Sequence, residues 1–204
     1  MSRARTQVAI VGAGPAGLML GRMLERLGVE SVILEARDRA YCEARIRAGV
    51  LEQGTRDALI DAGVGERLQR DGIVHGGIYL QADEDRRHLP MQELTGRAVT
   101  IYGQTEVVKD LISARLQSAA PLVFGVDDLR IAADVAGDAP AIHYRHGGSD
   151  HELRCDFIAG CDGFHGPSRS VIPDDVLRVW QRDYPFAWLG VRADVVPSTD
   201  ELIY

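Results

Sequence analysis

Gln7-Val8-Ala9-Ile10-Val11-Gly12-Ala13-Gly14-Pro15-Ala16-Gly17 decides the fold. Gln7 to Val11 is a short apolar run ending in glycines, the pattern of a strand buried on both faces of a parallel sheet. From Pro15 to Leu27, Leu18, Leu20, Met23, Leu24 and Leu27 recur at near-helical spacing. Pro15 suits a first helical position and Gly28 suits the stop. Val32 to Leu34 reads as a second strand, completing a strand–helix–strand unit. In that setting Gly12, Gly14 and Gly17, with Ala13, Pro15 and Ala16 between them, form a meaningful G-x-G-x-x-G. Gly12 permits the tight turn, Gly14 lets a pyrophosphate approach the backbone, and Gly17 lets the helix pack on the strand. Free N–H groups and the dipole at the helix start favour phosphate. Glu35, at the end of the second strand, is placed to accept hydrogen bonds from a ribose.

Outward from this unit, Leu51 to Ala62 and Glu106 to Ser118 read as helices. Gly76 to Gln81, Arg87 to Met91 and Val99 to Tyr102 read as short strands. So do Leu122 to Phe124, Leu129 to Ala133, Ala141 to Arg145 and His151 to Leu153, with Gly147-Gly148 marking a hairpin turn. Phe157 to Gly160 reads as another buried strand, and Ala187 to Val191 as a strand beginning a further sheet. The expected fold is α/β: a Rossmann-like dinucleotide-binding domain over residues 1–180 with a β-rich excursion at about 76–103 and 121–155. Residues 181–204 are expected to begin a β-sheet substrate domain.

The composition narrows the partners. With 46% hydrophobic and 26% charged residues, the chain has the makings of a globular core, and disorder is not expected. A formal charge of −7 and the lack of a Lys/Arg block argue against nucleic acid. The arginines between Arg37 and Arg47 are the local exception. No signal peptide and no run of about eighteen apolar residues is present, so no membrane partner is expected. Cys42, Cys155 and Cys161 are odd in number and lack a C-x-x-C pair or a histidine cluster. That disfavours both disulfides and a metal site and points to a reducing cytoplasm.

The glycine motif does not separate FAD from NAD. The stretch Cys155-Asp156-Phe157-Ile158-Ala159-Gly160-Cys161-Asp162-Gly163, followed by Ser168-Arg169, does, since it resembles the Asp-Gly fingerprint of FAD-dependent aromatic hydroxylases. Three segments bring the resemblance to the para-hydroxybenzoate hydroxylase family. They are Arg45-Ile46-Arg47-Ala48-Gly49-Val50-Leu51-Glu52-Gln53-Gly54, Tyr102-Gly103-Gln104-Thr105-Glu106-Val107, and Ile158 through Asp162-Gly163-Phe164-His165-Gly166. Tyr184-Pro185-Phe186 and Glu201-Leu202-Ile203-Tyr204 extend it, so it covers the chain from Gln7 to Tyr204.

The resemblance implies a monooxygenase converting 4-hydroxybenzoate to 3,4-dihydroxybenzoate with FAD, O2 and NADPH or NADH, through a flavin C4a-hydroperoxide. It implies that Arg47 contacts the FAD pyrophosphate, Gln104 the ribityl chain, and the backbone near Gly49 and Val50 the isoalloxazine edge, within an Arg45, Ile46, Arg47, Ala48 segment. Asp162 and Gly163 would bind a ribityl or ribose hydroxyl. Gln104 also suits capping the helix near Glu106. Tyr41, Arg45, His165 and Arg169 match positions associated with the nicotinamide cofactor. Tyr204 matches the tyrosine that bonds the substrate phenol and helps remove its proton, and His75 matches the solvent-side end of a proton relay.

In that family the substrate carboxylate clamp, a second FAD-binding segment, the relay's other tyrosine and the C-terminal helices lie beyond Tyr204. The 204 residues are therefore expected to be the front half of a homodimeric enzyme and inactive alone. A hydroxylase of another phenol and a catalytically silent flavin-binding fragment are the alternatives.

Overall fold

A computed structural model describes residues 2–132, 140–187, 189–191, 193, 195–196 and 199–204. In chain order, β1 (Ser2–Arg5), β2 (Val8–Val11), α1 (Pro15–Arg26), β3 (Ser31–Glu35) and α2 (Arg39–Ala44) come first. Next are β4 (Val50–Glu52), α3 (Gln53–Asp61), α4 (Glu66–Asp71), β5 (Ile73–His75), β6 (Ile78–Ala82), β7 (Asp85–Leu89), α5 (Met91–Thr95) and β8 (Val99–Ile101). Then follow α6 (Gln104–Gln117), β9 (Leu122–Phe124), β10 (Asp127–Ala132), β11 (Ala141–His146), β12 (Ser149–Arg154), β13 (Phe157–Gly160), a 3-10 turn (Pro167–Val171) and β14 (Leu202–Ile203). They form two compact units, Met1–Arg45 with Thr105–Trp180, and Ile46–Gln104 with Gln181–Tyr204.

The first unit is built on a parallel sheet of order β13-β2-β3-β9. Side chains alternate along its strands. Ala9, Val11 and Leu34 join Val126, Ile142, Leu153 and Cys155 in one buried cluster between this sheet and a second one, ordered β1-β12-β11-β10. Each fully buried Leu or Ile there contributes about 1.5–3 kcal/mol. Ile33 points the other way, under α1, where a Cβ on Gly21 would stand 2.8 Å from its Cδ1. The face that α1 buries is Gly17, Leu18 and Gly21, while Met23 and Leu27 of the expected apolar stripe are exposed. Close backbone approach at Gly17 and Gly21, together with the buried side chain of Leu18, seats this helix. Arg115 of α6, only 2% exposed, donates to the carbonyls of Gly21, Ser31 and Pro121 and so ties α1, β3 and the approach to β9 together.

Two chain segments change sheets in step. β1 pairs in parallel with β12, and β2 pairs in parallel with β13. Between them the Thr6 N–H donates to the Arg154 carbonyl, and the Asp156 and Phe157 N–H groups donate to the Gln7 carbonyl.

The second unit holds two small sheets, β4-β8-β5 and β14-β6-β7. β6 and β7 form an antiparallel hairpin, and β14 adds in parallel beside β6.

Several sequence expectations need correcting. The helix expected over Leu51 to Ala62 begins only at Gln53, because Val50–Glu52 pairs with β8 as a strand. Gly76 and Gly77 lie between β5 and β6 instead of inside a strand, and Met91 opens α5. α6 begins at Gln104. Among the described residues β13 is an edge strand, with Phe157 70% exposed, so its apolar run is not buried on both faces. Ala187, Leu189, Gly190 and Val191 carry no strand, having no neighbouring strand to pair with among the described residues. Trp188 and Ala133 lie outside those residues.

Candidate functional site

The turn from β2 into α1 is shaped by its glycines. Gly12 has φ +103°, and a Cβ on it would lie 2.5 Å from the Cys161 carbonyl oxygen and 3.0 Å from the Asp162 Cα. A Cβ on Gly17 would lie 2.0 Å from the Gly12 carbonyl oxygen. Beside Gly14, by contrast, nothing stands within 4 Å. Gly14 is the N-cap of α1 and offers no side-chain cap, so the first-turn N–H groups face space that an anion fits. Glu35 at the end of β3 accepts from the Ala13 N–H at 2.7 Å through Oε2 and from the Arg37 N–H at 2.8 Å through Oε1. A carboxylate has about four lone-pair sites, so both oxygens can still accept from hydroxyls. Ala13 is buried, whereas Pro15 and Ala16 border the open side. The cradle suits a dinucleotide: phosphate at Gly14 and the α1 terminus, sugar hydroxyls at Glu35.

The Asp-Gly segment closes against this turn. Asp162 folds back to accept the Ser168 N–H at 2.7 Å, and its Cγ would be 2.0 Å from a Cβ on Gly166. Gly163 has φ +73°. A shallow recess follows, lined by Phe164, His165, Arg169 and Leu177. Phe164 meets His165 edge-on at 4.9 Å and carries the Arg169 guanidinium 4.8 Å above its ring. On the other expected nicotinamide segment, Asp38 caps α2 through the Tyr41 N–H, Arg37 lies over the Tyr41 ring at 5.2 Å, and Arg39 pairs with Glu43. Arg45 ends α2 with an exposed side chain. Burial, with the charges of Glu35 and Asp38 beside it, pushes the Cys42 thiol up to about 11, which removes it as a nucleophile.

In the second unit, the segments around Gly49 and Gly103 lie backbone against backbone. A Cβ on Gly49 would be 2.5 Å from the Gly103 Cα. The Tyr102 N–H donates to the Gly49 carbonyl and the Gln104 N–H to the Ala48 carbonyl. Ile46, Arg47 and Val50 are exposed. Gln104 is the first helical residue of α6, not its cap, and its side chain makes no hydrogen bond among the described residues.

His75 ends β5 and is buried, 8% exposed. Its Nδ1 accepts the Leu202 N–H at 3.1 Å. Tyr204 is 80% exposed, yet its main chain is fixed: its N–H donates to the Tyr79 carbonyl and its carbonyl accepts from the Gln81 N–H. No side-chain hydrogen bond joins Tyr204 to His75 among the described residues. The sequence reading missed Glu201, whose carboxylate takes the Gly77 N–H at 2.7 Å and the His88 Nε2 at 2.6 Å. Burial acts to raise the Glu201 carboxyl, but the bonds from His88 and Gly77 and the nearby His88 and His75 charges outweigh it and hold the group below the usual carboxylate range.

Comparison with known proteins places these features in company. The FAD binding domain family matches residues 5–204. The chain is 44% identical over 205 residues to p-hydroxybenzoate hydroxylase of Acinetobacter baylyi (strain ATCC 33305 / BD413 / ADP1), an alignment spanning all of this chain and half of the relative. Among solved structures, PqsL from Pseudomonas aeruginosa, a probable FAD-dependent monooxygenase, superposes with a TM-score of 0.74 at 20% identity, over 89% of this chain and 48% of its own. The p-nitrophenol 4-monooxygenase PnpA from Pseudomonas putida DLL-E4 gives 0.71 at 19% identity, over 83% and 43%.

Proposed function

The chain belongs to the FAD-binding domain family of flavin-dependent monooxygenases, and from that premise we propose that it serves an enzyme that hydroxylates 4-hydroxybenzoate to 3,4-dihydroxybenzoate with O2 and a reduced nicotinamide, preferentially NADPH. The observation that carries this reading is the 44% identity to a p-hydroxybenzoate hydroxylase along the whole chain. The cradle in which Gly12 meets Cys161 and Asp162 supports the cofactor half of it.

Gly12, Ala13, Gly14, Pro15, Ala16 and Gly17 receive the pyrophosphate of FAD, Glu35 takes a ribose hydroxyl, and Asp162 with Gly163 takes a hydroxyl further along. Arg45, Ile46, Arg47, Ala48, Gly49, Val50 and Gln104 are assigned to FAD by resemblance, with the Arg47 guanidinium suited to phosphate oxygens. Tyr41, Arg45, His165 and Arg169 are assigned to the nicotinamide cofactor. FAD, when bound, supplies the activation of O2 with electrons from that cofactor. Tyr204 binds the substrate phenol and draws off its proton, raising electron density at the neighbouring ring carbon, and His75 carries the proton onward. The proposed setting is a cytoplasmic homodimer.

Mixing the complete protein with FAD, NADPH, O2 and 4-hydroxybenzoate is expected to give the ortho-diol. Turnover of another phenol instead would keep the class and overturn the substrate. The chain spans half the length of the curated relative it matches, which favours a second reading, a flavin-binding piece without turnover of its own. Stoichiometric quenching of flavin fluorescence by the 204-residue chain, with no NADPH oxidation, is the result expected of that reading.

A further inference from the structure

We propose that Glu201 and Leu202 are positioning residues for His75, holding its ring in the one tautomer that carries the proton on Nε2. This deepens the reading of His75 as a proton carrier and rests on it. The Leu202 N–H is aimed at His75 Nδ1, 3.1 Å away. A peptide N–H only donates, so Nδ1 has to accept, and the neutral ring then bears its hydrogen on Nε2. The ring gives a proton through Nε2. It takes a second one only at Nδ1, where two N–H groups would then face each other. Proton uptake by His75 is therefore coupled to release of the Leu202 amide.

Glu201 fixes where that amide sits. One carboxylate spans the backbone just after His75, at the Gly77 N–H, and the imidazole of His88 on β7. Gly77 makes this possible: a Cβ on it would stand 2.4 Å from His88 Nε2. The next residue is Leu202, and two further on is Tyr204, whose main chain is bonded on both sides to β6 and the residues within it. The clasp thus sets the entry of the strand that joins His75 to Tyr204. The groups that face His75 are Glu201 from the approach to β14, His88 beyond that carboxylate, and apolar Val99 from β8.

The test is a long-range 1H–15N spectrum of the histidine rings in the 204-residue chain at about pH 8.5, where an ordinary imidazole is neutral. The expected pattern for His75 is a protonated Nε2 and a bare Nδ1. In Glu201→Ala the pattern is expected to give way to a tautomer mixture, with amide exchange at Leu202 faster by about tenfold or more. Glu201→Gln, which keeps an acceptor for Gly77, should restore part of that protection. A proton on Nδ1 in the unaltered chain, which needs no variant to fold, overturns the proposal, as does unchanged exchange at Leu202 in Glu201→Ala. Neither readout uses turnover, so a failed hydroxylation assay and a failed tautomer assignment are distinct results.

Discussion

Gly12 and Cys161 meet backbone to backbone, so close that a Cβ on the glycine would lie 2.5 Å from the cysteine carbonyl oxygen. The glycine motif and the Asp-Gly motif, about 150 residues apart in sequence, are in this sense one structure. Gly12→Ala forces a side chain into that contact and into φ +103°. It is expected to lose about 1–3 kcal/mol of stability from strain alone and to bind FAD poorly. Gly14→Ala has the opposite signature: nothing stands within 4 Å and φ is −73°, so folding is expected to be unharmed while FAD affinity falls. Thermal melts beside flavin-fluorescence titrations check the pair; FAD binding by Gly14→Ala as tight as the unaltered chain would move the phosphate elsewhere.

Arg115 is the fastening of the first unit. Replacing it by Met removes three hydrogen bonds from a charged donor, to the carbonyls of Gly21, Ser31 and Pro121, and leaves Pro121 with the Ile33 N–H it also accepts. The expected loss is about 2–5 kcal/mol in urea unfolding, with Lys recovering only a fraction because it lacks the planar fork. A change under about 0.5 kcal/mol would contradict this account.

Glu201 and Glu152 both titrate below their ordinary range in the folded chain. For Glu201 burial opposes the shift and the His88 and Gly77 bonds prevail; for Glu152 the leading cause is the Arg154 hydrogen bond. A carboxyl held low stabilises the fold above its unfolded pKa, and that contribution is lost as pH falls through the folded value. Melting temperatures of Glu201→Gln and Glu152→Gln should therefore lie below the unaltered chain at neutral pH and converge with it in acid. A gap that widens toward acid would refute the assignment.

Tyr204→Phe removes a hydroxyl from an exposed residue and leaves the main-chain bonds to Tyr79 and Gln81 in place. In the complete enzyme the variant is expected to bind FAD and consume NADPH while releasing hydrogen peroxide in place of diol. The barrier to hydroxylation should rise by about 3 to 5.5 kcal/mol, roughly a hundred to ten thousand fold. Product formed per NADPH oxidised measures it.

The local part of this design is legible in the sequence. Gly12, Gly14, Gly17 and Glu35 stand at spacings that a strand–turn–helix–strand dictates, and the structure adds the bond from the Ala13 N–H to Glu35. The Glu201–His88 clasp joins residues 113 apart, and His88 sits in a charged strand whose residues are all exposed, so its pattern reads as solvated surface. Nothing periodic announces it. The Ala187 to Val191 expectation failed for the converse reason: apolar β-formers make a strand only where another strand offers hydrogen bonds. For β13, hydrophobicity identified the strand but not its place at the sheet's edge, which depends on pairing order and not on composition.

The paired passage of β1 with β12 and β2 with β13 has a consequence for the order of synthesis. Among the described residues, the strand at Ser2–Arg5 pairs with Ser149–Arg154 alone. At ordinary translation rates that partner leaves the ribosome about ten to thirty seconds later. The β1 strand waits for β12 through that interval, and is locked into this sheet only after β10 and β11 have been made.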